Sequence, residues 1–550
     1  MSHKFFCLVL HSHIPYVVGH GTWPHGTDWL YEAAAESYLP LLRVLDRLSQ
    51  EGFSPDINIS FTPVLMEQLK SQPFIKGFKK YLQLKKDVAE RDRLYFEKSG
   101  QKELARLADF WRSWYEGIDD DFTHRWQQDI LNGFRRLQDE GFIEILTSAA
   151  THAYLPLLSH DESLRLQLRQ GKFIYEKNFG RAPAGFWLPE CAYRPAYLWK
   201  RPVGEAPSFF RPAIDELLRE TGLAYFFVDL PLLRGSEVKG VYFERFPALK
   251  KLWEKSIKGI REEERMELSP YRPYLSEPSG LAFFARDERT GQQVWSRSSG
   301  YPGDGWYLEF HKKHFPGGLR YWRVTASHLD LGEKLIYQPE KVEERLESHA
   351  NHFVSLLLEI LKETEEGVVA SFYDTELFGH WWFEGPEWLY KVLKKLALSP
   401  VKSGKASRCL EKLKPQLAVK LPEGSWGSGG FHWIWLNEDT AWIWEKIYWL
   451  EDEMARLPKK RLEKKRRLWR QLLREKFLLE SSDWPFLIST WTARDYAENR
   501  ASEHYQRART LISWINRTDP LSPEEEKLLA GWEKEDGLFR EIAVGEKEII

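Results

Sequence analysis

Short apolar runs alternate with longer amphipathic segments over the first two thirds of the chain. Each run has four to six residues and, apart from Glu144, no charged side chain, which is typical of strands that are buried on both faces. The runs are 5–10, 57–61, 143–147, 185–188, 225–228 and 368–372.

The segments between these runs have helical periodicity. Residues 31–48, 162–178 and 207–221 each place apolar side chains along one face, and the third ends at Gly222, a residue typical of helix C-termini. Alternation of strands and helices predicts parallel strands, in either an α/β barrel or an open sheet.

Three regions depart from this alternation. Residues 70–125 are charged and aromatic without strand signals, which predicts a helical insertion, and residues 234–330 are rich in Gly, Pro, Arg and Tyr, which predicts loops. From about residue 400 the chain becomes helical in period. We therefore expect a catalytic domain over 1–400 and a helical C-terminal domain over 401–550.

Charge and composition exclude several functional classes. The 550 residues carry 79 basic and 81 acidic side chains, a net charge of −2, so no overall field attracts nucleic acid or an anionic membrane. The basic run 459–467 is interrupted by Leu and Glu and is interpreted as a solvated helix face. No apolar run approaches the ~20 residues of a membrane span, and residues 5–10 are too short for a signal peptide.

Two residue types add to this picture. The three cysteines are widely spaced and odd in number, which predicts reduced thiols in a cytoplasmic protein. The 25 tryptophans are several-fold more than usual. Because indole faces pack against the C–H faces of sugar rings, this content favours a carbohydrate site.

The stretch 373–382, Tyr-Asp-Thr-Glu-Leu-Phe-Gly-His-Trp-Trp, follows the sixth apolar run. Barrel enzymes keep their catalytic groups at the carboxyl ends of strands, so Asp374 is the first candidate for an acid–base group. Glu376 competes for that role, but it lies further from the end of the strand. The sequence therefore predicts an acid at the floor of an aromatic cleft.

Three further strand ends carry groups capable of chemistry. His11 and His13 share one face at the end of the first run, where imidazoles bind either a metal ion or a substrate. His152 follows the third run. Glu190 follows the fourth, beside Cys191, whose thiol is a less favoured nucleophile because no nearby cation lowers its pKa.

Glycine-flanked tryptophans indicate exposed loops rather than helices. Trp426 and Trp435 bound the stretch Trp-Gly-Ser-Gly-Gly-Phe-His-Trp-Ile-Trp, and Trp295 precedes a turn-prone loop. These three indoles are predicted to bind substrate.

Taken together, the clusters resemble the family 57 glycoside hydrolases, and within that family the glucan branching enzymes. The resemblance rests on five motifs that occur in the family's order and span nearly the whole chain: 11–15, 141–147, 187–193, 374–382 and 481–486, the last of which contains Trp484.

This resemblance implies a fold and a set of roles. The fold is an incomplete (β/α)7 barrel with a helical insertion and an all-helical C-terminal domain. Glu190 is the implied nucleophile and Asp374 the acid/base, in a retaining mechanism without metal or cofactor. The histidines and tryptophans named above, with Trp484, contact an α-1,4-glucan, which is both donor and acceptor. A monomer or small homo-oligomer is expected.

The resemblance leaves the fate of the transferred chain open. A 6-hydroxyl acceptor gives an α-1,6 branch, water gives an amylase, and a 4-hydroxyl gives a 4-α-glucanotransferase. A tyrosine on a mobile loop within 234–275 is tied to transfer in related enzymes, and Tyr242, Tyr271 and Tyr274 all qualify.

Two readings outside this family remain open from the residues alone. A metal-dependent hydrolase would use His11 and His13 as ligands, with His152 and His380 on later strand ends. A non-catalytic glucan-binding protein would explain the tryptophans but not the strand-end acids.

Overall fold

A computed structural model of the protein describes residues 3–235, 251–252, 254–255, 268–296 and 299–543. Its main sheet contains seven strands that run parallel to their neighbours in the order β10-β1-β2-β3-β4-β7-β9. These strands are β1 Lys4–Ser12, β2 Ile57–Phe61, β3 Ile143–Ser148, β4 Gly185–Trp187, β7 Tyr225–Val228, β9 Ala282–Ala285 and β10 Gly367–Asp374.

Short strands extend this sheet. β8 (Tyr274–Ser276) is antiparallel to β9, β12 (Ala418–Val419) pairs with β8, and β11 (Lys402–Ser403) pairs with β1. β5 (Tyr197–Trp199) and β6 (Phe209–Arg211) form a separate antiparallel pair.

The sheet curls until its two ends meet. The backbone N–H of Asp287, which follows β9, donates to the carbonyl of Ala370 in β10 at 2.7 Å. Inside the curl, alternate residues of the strands form one apolar cluster in which Trp187 lies 5.8 Å from Phe372 and Phe227 lies 5.1 Å from it, measured between ring centroids. This period of two is the pattern of side chains that fill a small barrel.

Helices cover the outside of the sheet. Over the first 413 residues they span Thr27–Ala33, Leu39–Gln50, Pro63–Lys70, Gln72–Lys98, Lys102–Asp120, Ile130–Asp139, Asp161–Phe179, Ile214–Glu220, Leu230–Arg234, Glu288–Trp295, Val342–Ile360, Gly385–Leu398 and Ala406–Leu413. The long helices Gln72–Lys98 and Lys102–Asp120 pack on each other within the segment 70–125.

The C-terminal part of the chain is helical. Its helices span Ala441–Ala455, Lys459–Lys464, Arg466–Leu479, Asp483–Ser489, Arg494–Asn516 and Pro523–Glu535. Four of them, Ala441–Ala455, Lys459–Lys464, Arg466–Leu479 and Asp483–Ser489, contact the central helix Arg494–Asn516.

The predicted fold class, an incomplete (β/α)7 barrel with added helices, is confirmed by the sheet and by this helical region. Two local expectations differ from the structure. The helix expected over 207–221 begins only at Ile214, because residues 209–211 form β6. β8 and β9 lie within the segment that was expected to consist of loops. No described helix is both long enough and apolar enough to cross a bilayer.

Candidate active site

A cavity of about 970 Å³ opens at the carboxyl ends of the barrel strands. Eight of the nine residues predicted to form the site line it: His11, His13, His152, Glu190, Trp295, Asp374, Trp426 and Trp435. They come from the ends of four strands, from the end of one helix and from one loop of the later part of the chain.

Glu190 lies in a tight turn directly after β4. Pro189–Cys191 form one 3-10 turn, in which Glu190 and Cys191 have φ of 61° and 47°, the left-handed region that side chains rarely adopt. Oε2 of Glu190 accepts a hydrogen bond from the Trp426 indole at 2.9 Å, and Oε1 accepts one from the Ser482 hydroxyl at 3.0 Å. Both carboxylate oxygens are therefore held by a neutral donor.

Burial raises the pKa of Glu190 to about 7, although the donors Trp426 and Ser482 act in the opposite direction. Without them, the cost of desolvating the carboxylate would be opposed mainly by the charge of His13. Trp426, Ser482 and His13 thus favour the ionised form of Glu190, whereas burial disfavours it.

Asp374 is the last residue of β10 and sits opposite β1, where it is in register with His11. Burial raises its pKa well above the usual value, and the nearby carboxylates Glu376 and Glu190 raise it further. Among the described residues, the Asp374 carboxyl has no hydrogen-bond partner. The raised pKa favours the protonated form of Asp374, which faces the cavity.

The three histidines of the site form a stacked group. The rings of His13 and His152 lie 4.0 Å apart, and those of His11 and His152 lie 4.9 Å apart. His13 donates to Asp483, at 2.9 Å from Nε2, and its Nδ1 lies 3.0 Å from the Thr62 hydroxyl. Burial alone would lower the pKa of His13, but Asp483, Glu190 and Glu376 together raise it, which favours an imidazolium.

His11 and His152 are neutral by contrast. Burial lowers the pKa of both imidazoles well below the usual value, and the neighbouring histidines lower it further. Their Nε2 atoms lie 3.0 Å apart, Nδ1 of His11 lies 3.2 Å from the Ser60 hydroxyl, and Nδ1 of His152 lies 2.9 Å from the Ser482 hydroxyl. Each ring nitrogen of these histidines thus has a protein partner. We therefore expect His11 and His13 to contact a sugar through the carbon edges and the faces of their rings.

The predicted tryptophans occupy different positions around the cavity. Trp295 ends the helix Glu288–Trp295 and is 39% exposed. Trp435 forms a buried wall, stacked on Tyr154 at 4.5 Å between centroids. The rings of Trp426 and Trp187 lie 5.2 Å apart between centroids, and the Trp426 indole N–H donates a hydrogen bond to Glu190. Trp426 therefore orients a carboxylate in addition to lining the groove.

Trp484, the ninth residue predicted to form the site, lies outside the cavity. This described side chain is fully buried, donates to the Leu478 carbonyl at 2.6 Å and packs on Arg500, so it does not line the cavity. The neighbouring helix turn instead directs Asp483 and Phe486 into the cavity. Residues 483–489 are helical, and successive side chains of a helix point about 100° apart.

Four further groups of the site were not predicted: Trp381, Phe310, Ser482 and Asp483. Trp381 is 52% exposed and stacks on Phe310 at 4.4 Å, and both line the cavity. The double tryptophan at 381–382 is the sequence feature that could have indicated Trp381 and its partner. The Ser-Ser-Asp-Trp cluster at 481–484 could have indicated Ser482 and Asp483.

Glu376 and Cys191 are the alternatives to Asp374 and Glu190 for the catalytic roles, and their surroundings do not favour those roles. The carboxylate of Glu376 accepts from the His13 backbone N–H at 3.1 Å and from the Tyr38 hydroxyl. Cys191 is fully buried, and burial raises the pKa of its thiol well above the usual value.

The cavity contains a group of side chains that could bind a metal ion. Ligand atoms of His13, His152 and Asp483 lie within 4.8 Å of one another. His380 does not join them, because its Nδ1 lies 2.9 Å from the carboxylate of Glu36.

Of the tyrosines considered for the loop within 234–275, Tyr242 lies outside the described residues. Tyr271 donates to Asp287 at 3.2 Å and Tyr274 donates to the Ser269 carbonyl at 2.7 Å. Neither of these two lines the cavity.

Comparison with known proteins identifies the family. A profile described as glycosyl hydrolase family 57 matches residues 7–422, and one described as 1,4-alpha-glucan branching enzyme, C-terminal, matches residues 446–545. The chain belongs to glycosyl hydrolase family 57. The resemblance seen in the sequence motifs is thereby confirmed.

Three relatives place the chain within this family. It is 42% identical to a 1,4-alpha-glucan branching enzyme of Thermococcus kodakarensis over 98% of this chain and 78% of that one. The crystal structure of a family 57 branching enzyme from Pyrococcus horikoshii superposes with a TM-score of 0.87 at 41% identity, over 98% and 96% of the two chains. An α-amylase from Thermotoga maritima gives 0.78 at 29% identity, over 98% of each chain.

Proposed function

We propose that this protein is a 1,4-α-glucan branching enzyme that cleaves an α-1,4 bond and transfers the released chain to a 6-hydroxyl. The observation that carries the proposal is the match to branching enzymes along both the barrel and the helical C-terminal part. The two strand-end carboxyls in one tryptophan-lined cavity supply the chemistry.

Glu190 is the nucleophile of this reaction. Its carboxylate attacks the anomeric carbon, the glycosidic bond breaks, and a covalent glycosyl-enzyme forms. The indole of Trp426 and the hydroxyl of Ser482 hold the two oxygens, while His13 supplies a positive charge nearby. These groups oppose the protonation that burial favours.

Asp374 is the acid and then the base. Its raised pKa favours the protonated form, and in the first step Asp374 gives this proton to the departing glycosidic oxygen. The resulting carboxylate takes the proton of the acceptor hydroxyl as that oxygen attacks the glycosyl-enzyme. Two inversions at the anomeric carbon retain its configuration, which requires carboxyl groups about 5–5.5 Å apart.

The substrate is an α-1,4-glucan as donor and acceptor. Trp295, Trp381 and Phe486 are 39%, 52% and 40% exposed around the cavity, and supply apolar faces for sugar rings. No cofactor takes part. We further propose a cytoplasmic role in glycogen synthesis, as a monomer or small homo-oligomer, in keeping with three buried unpaired cysteines.

Hydrolysis and 4-α-glucan transfer use the same first step, so the acceptor distinguishes the three activities. The branching relatives are closer in sequence and in structure than the α-amylase, which favours transfer to a 6-hydroxyl. A metal-dependent hydrolase is not favoured, because it leaves Glu190 and the tryptophans without a role.

The test is to incubate the protein with amylose and count reducing ends before and after enzymatic debranching. Branching is expected to create chain ends that appear only after debranching, with little rise before it. An equal rise in reducing ends without debranching would show hydrolysis and contradict the proposal. Glu190→Gln serves as the inactive control.

A further inference from the structure

The proposed mechanism uses the hydrogen bond from Ser482 to Glu190 but does not explain what orients the Ser482 hydroxyl. Ser482 lies 292 residues from Glu190 along the chain, just before the helix Asp483–Ser489, yet its hydroxyl donates to Oε1 of the nucleophile at 3.0 Å. The helical C-terminal part thus reaches the carboxylate through one buried serine.

When Glu190 is ionised, the hydrogen bonds around Ser482 have only one consistent direction. A carboxylate accepts, so the single hydroxyl proton of Ser482 is used on Glu190, and its oxygen must accept from Nδ1 of His152. A neutral His152 protonated at Nδ1 has a bare Nε2, which accepts from Nε2–H of His11. His11 then has a bare Nδ1, which accepts from the Ser60 hydroxyl.

The chain therefore runs Ser60 to His11 to His152 to Ser482 to Glu190, and every donor points toward the carboxylate. It crosses the ends of β1 to β4 and one loop of the helical part. The direction depends on both imidazoles being neutral, and burial holds the pKa of each well below its usual value. Aligned hydrogen bonds in a buried chain polarise one another.

The backbone fixes both residues that Ser482 joins. His152 and Glu190 have φ of 56° and 61°, and left-handed backbone at non-glycine residues is retained where surrounding contacts enforce it. The Ser482 N–H donates to the His152 carbonyl at 3.1 Å, and Ala153 pairs with Ser481 as a β-bridge. Ser482 is thus attached to His152 by backbone and by side chain.

We propose that Ser482 is a positioning residue, which His152 and His11 force to donate its proton to the nucleophile carboxylate. This inference rests on the proposed role of Glu190. Ser482 does not touch the reacting atoms; it fixes Oε1 while Trp426 fixes Oε2, and it favours the ionised form. Among the described residues, the charged or titratable groups near Glu190 are His13, His152, Tyr154, Cys191 and Asp374 from the barrel and Asp483 beside Ser482.

The functional test compares Ser482→Ala with Ser482→Thr, which keeps the hydroxyl. Ser482→Ala is expected to lower kcat by about 10- to 100-fold, since one hydrogen bond to a charged group is lost, with little change in KM. The acid limb of the kcat/KM profile should move up by about one pH unit. Ser482→Thr should restore both.

Ser163→Ala is the matched control, because this buried serine of the helix Asp161–Phe179 contacts Lys476 of the helical part and does not line the cavity. It removes a buried hydroxyl between the same two regions and should leave the pH profile in place. A Ser482→Ala enzyme with unchanged kcat and acid limb would overturn the inference.

A second measurement needs no variant of Ser482 and no activity. ¹⁵N spectra of the histidine side chains, assigned with His152→Gln and His11→Gln, report which ring nitrogen carries the proton. We expect His152 protonated at Nδ1 and His11 at Nε2 at pH 8, where Glu190 is mostly ionised. A proton on Nε2 of His152 would overturn the inference, whatever reaction the enzyme performs. Loss of the proposed function alone would instead appear in the wild-type debranching assay.

Discussion

Glu190 and Asp374 are both half-buried at the cavity, and both have raised pKa values for related reasons. Desolvation acts on each, and a neighbouring carboxylate raises each pKa further, Asp483 for Glu190 and Glu190 for Asp374. The two differ in their partners, since Glu190 receives two hydrogen bonds and the described surroundings give Asp374 none. At the residue scale, this difference assigns the ionised form to Glu190 and the protonated form to Asp374.

Glu190→Gln is expected to lower activity by about 10⁴-fold or more, because the covalent step is lost. It should also stabilise the protein at pH 8. A carboxyl whose pKa rises to about 7 on folding destabilises the fold increasingly as pH rises above about 4.5 and fully above 7. The gain in unfolding free energy should be on the order of 1–3 kcal/mol at pH 8 and absent at pH 4, measured by denaturant unfolding.

Glu144→Gln is the control for this prediction. Glu144 lies at the start of β3, away from the cavity, and binds Tyr225 and Ser407. It should keep near wild-type activity. Equal activity of Glu190→Gln and Glu144→Gln would contradict the assignment of the nucleophile.

Asp374→Asn is expected to lower turnover of amylose by about 10²–10⁴-fold, because the leaving oxygen is no longer protonated. α-Glucosyl fluoride needs no such proton, so its turnover should fall much less in the first step. Added azide should then yield α-glucosyl azide, since it needs no base. An equal loss with both substrates would argue against Asp374 as the acid/base.

At the element scale, the strands that place the site were predictable and several of their partners were not. The buried runs ending near Asp374 and Glu190 stand out because parallel strands covered on both faces are continuously apolar. β9 was missed because its four residues lie among Gly, Pro and Arg. Ser482 and Asp483 were missed as site groups because their contacts with the barrel arise only from tertiary packing.

The loops after the strands carry the aromatic contacts. Trp381 follows β10 and stacks on Phe310, which comes from the segment between β9 and β10. Trp381→Ala is expected to raise KM for long glucans by about 3- to 10-fold with little change in kcat, because an apolar platform is lost at a distance from the reacting bond.

Trp491→Ala is the matched control for Trp381→Ala. Trp491 is 70% exposed and does not line the cavity. Its replacement should leave KM unchanged in the same initial-rate measurements. A larger rise in KM for Trp491→Ala than for Trp381→Ala would contradict the placement of the glucan.

At the scale of the whole molecule, the helical C-terminal part holds the loop that follows β1. Arg500 donates to the Tyr16 carbonyl at 2.6 Å, and Nε2 of His20 lies 2.7 Å from Asp536. Asp536 is fully buried and also pairs with Arg507. Burial alone would raise the pKa of Asp536, but His504, His20 and Arg507 hold it below the usual value.

Asp536→Asn is therefore expected to lower the free energy of unfolding by about 3–5 kcal/mol at pH 7, since buried positive groups lose their partner. A carboxyl with a lowered pKa stabilises the fold above its unfolded pKa of about 4, and this contribution disappears as pH falls. The difference from wild type should narrow below pH 4. The exposed Asp519→Asn is the control, and equal losses in the two variants would contradict the role of the network.

The assignment of Glu190 as the nucleophile is tested most directly by trapping the covalent intermediate. The protein is treated with 5-fluoro-α-glucosyl fluoride, digested, and its peptides are analysed by mass spectrometry. We predict one fluoroglucosyl group on Glu190 in the wild type, and none in Glu190→Gln. Labelling of Asp374, Glu376 or Asp483 instead would contradict the account.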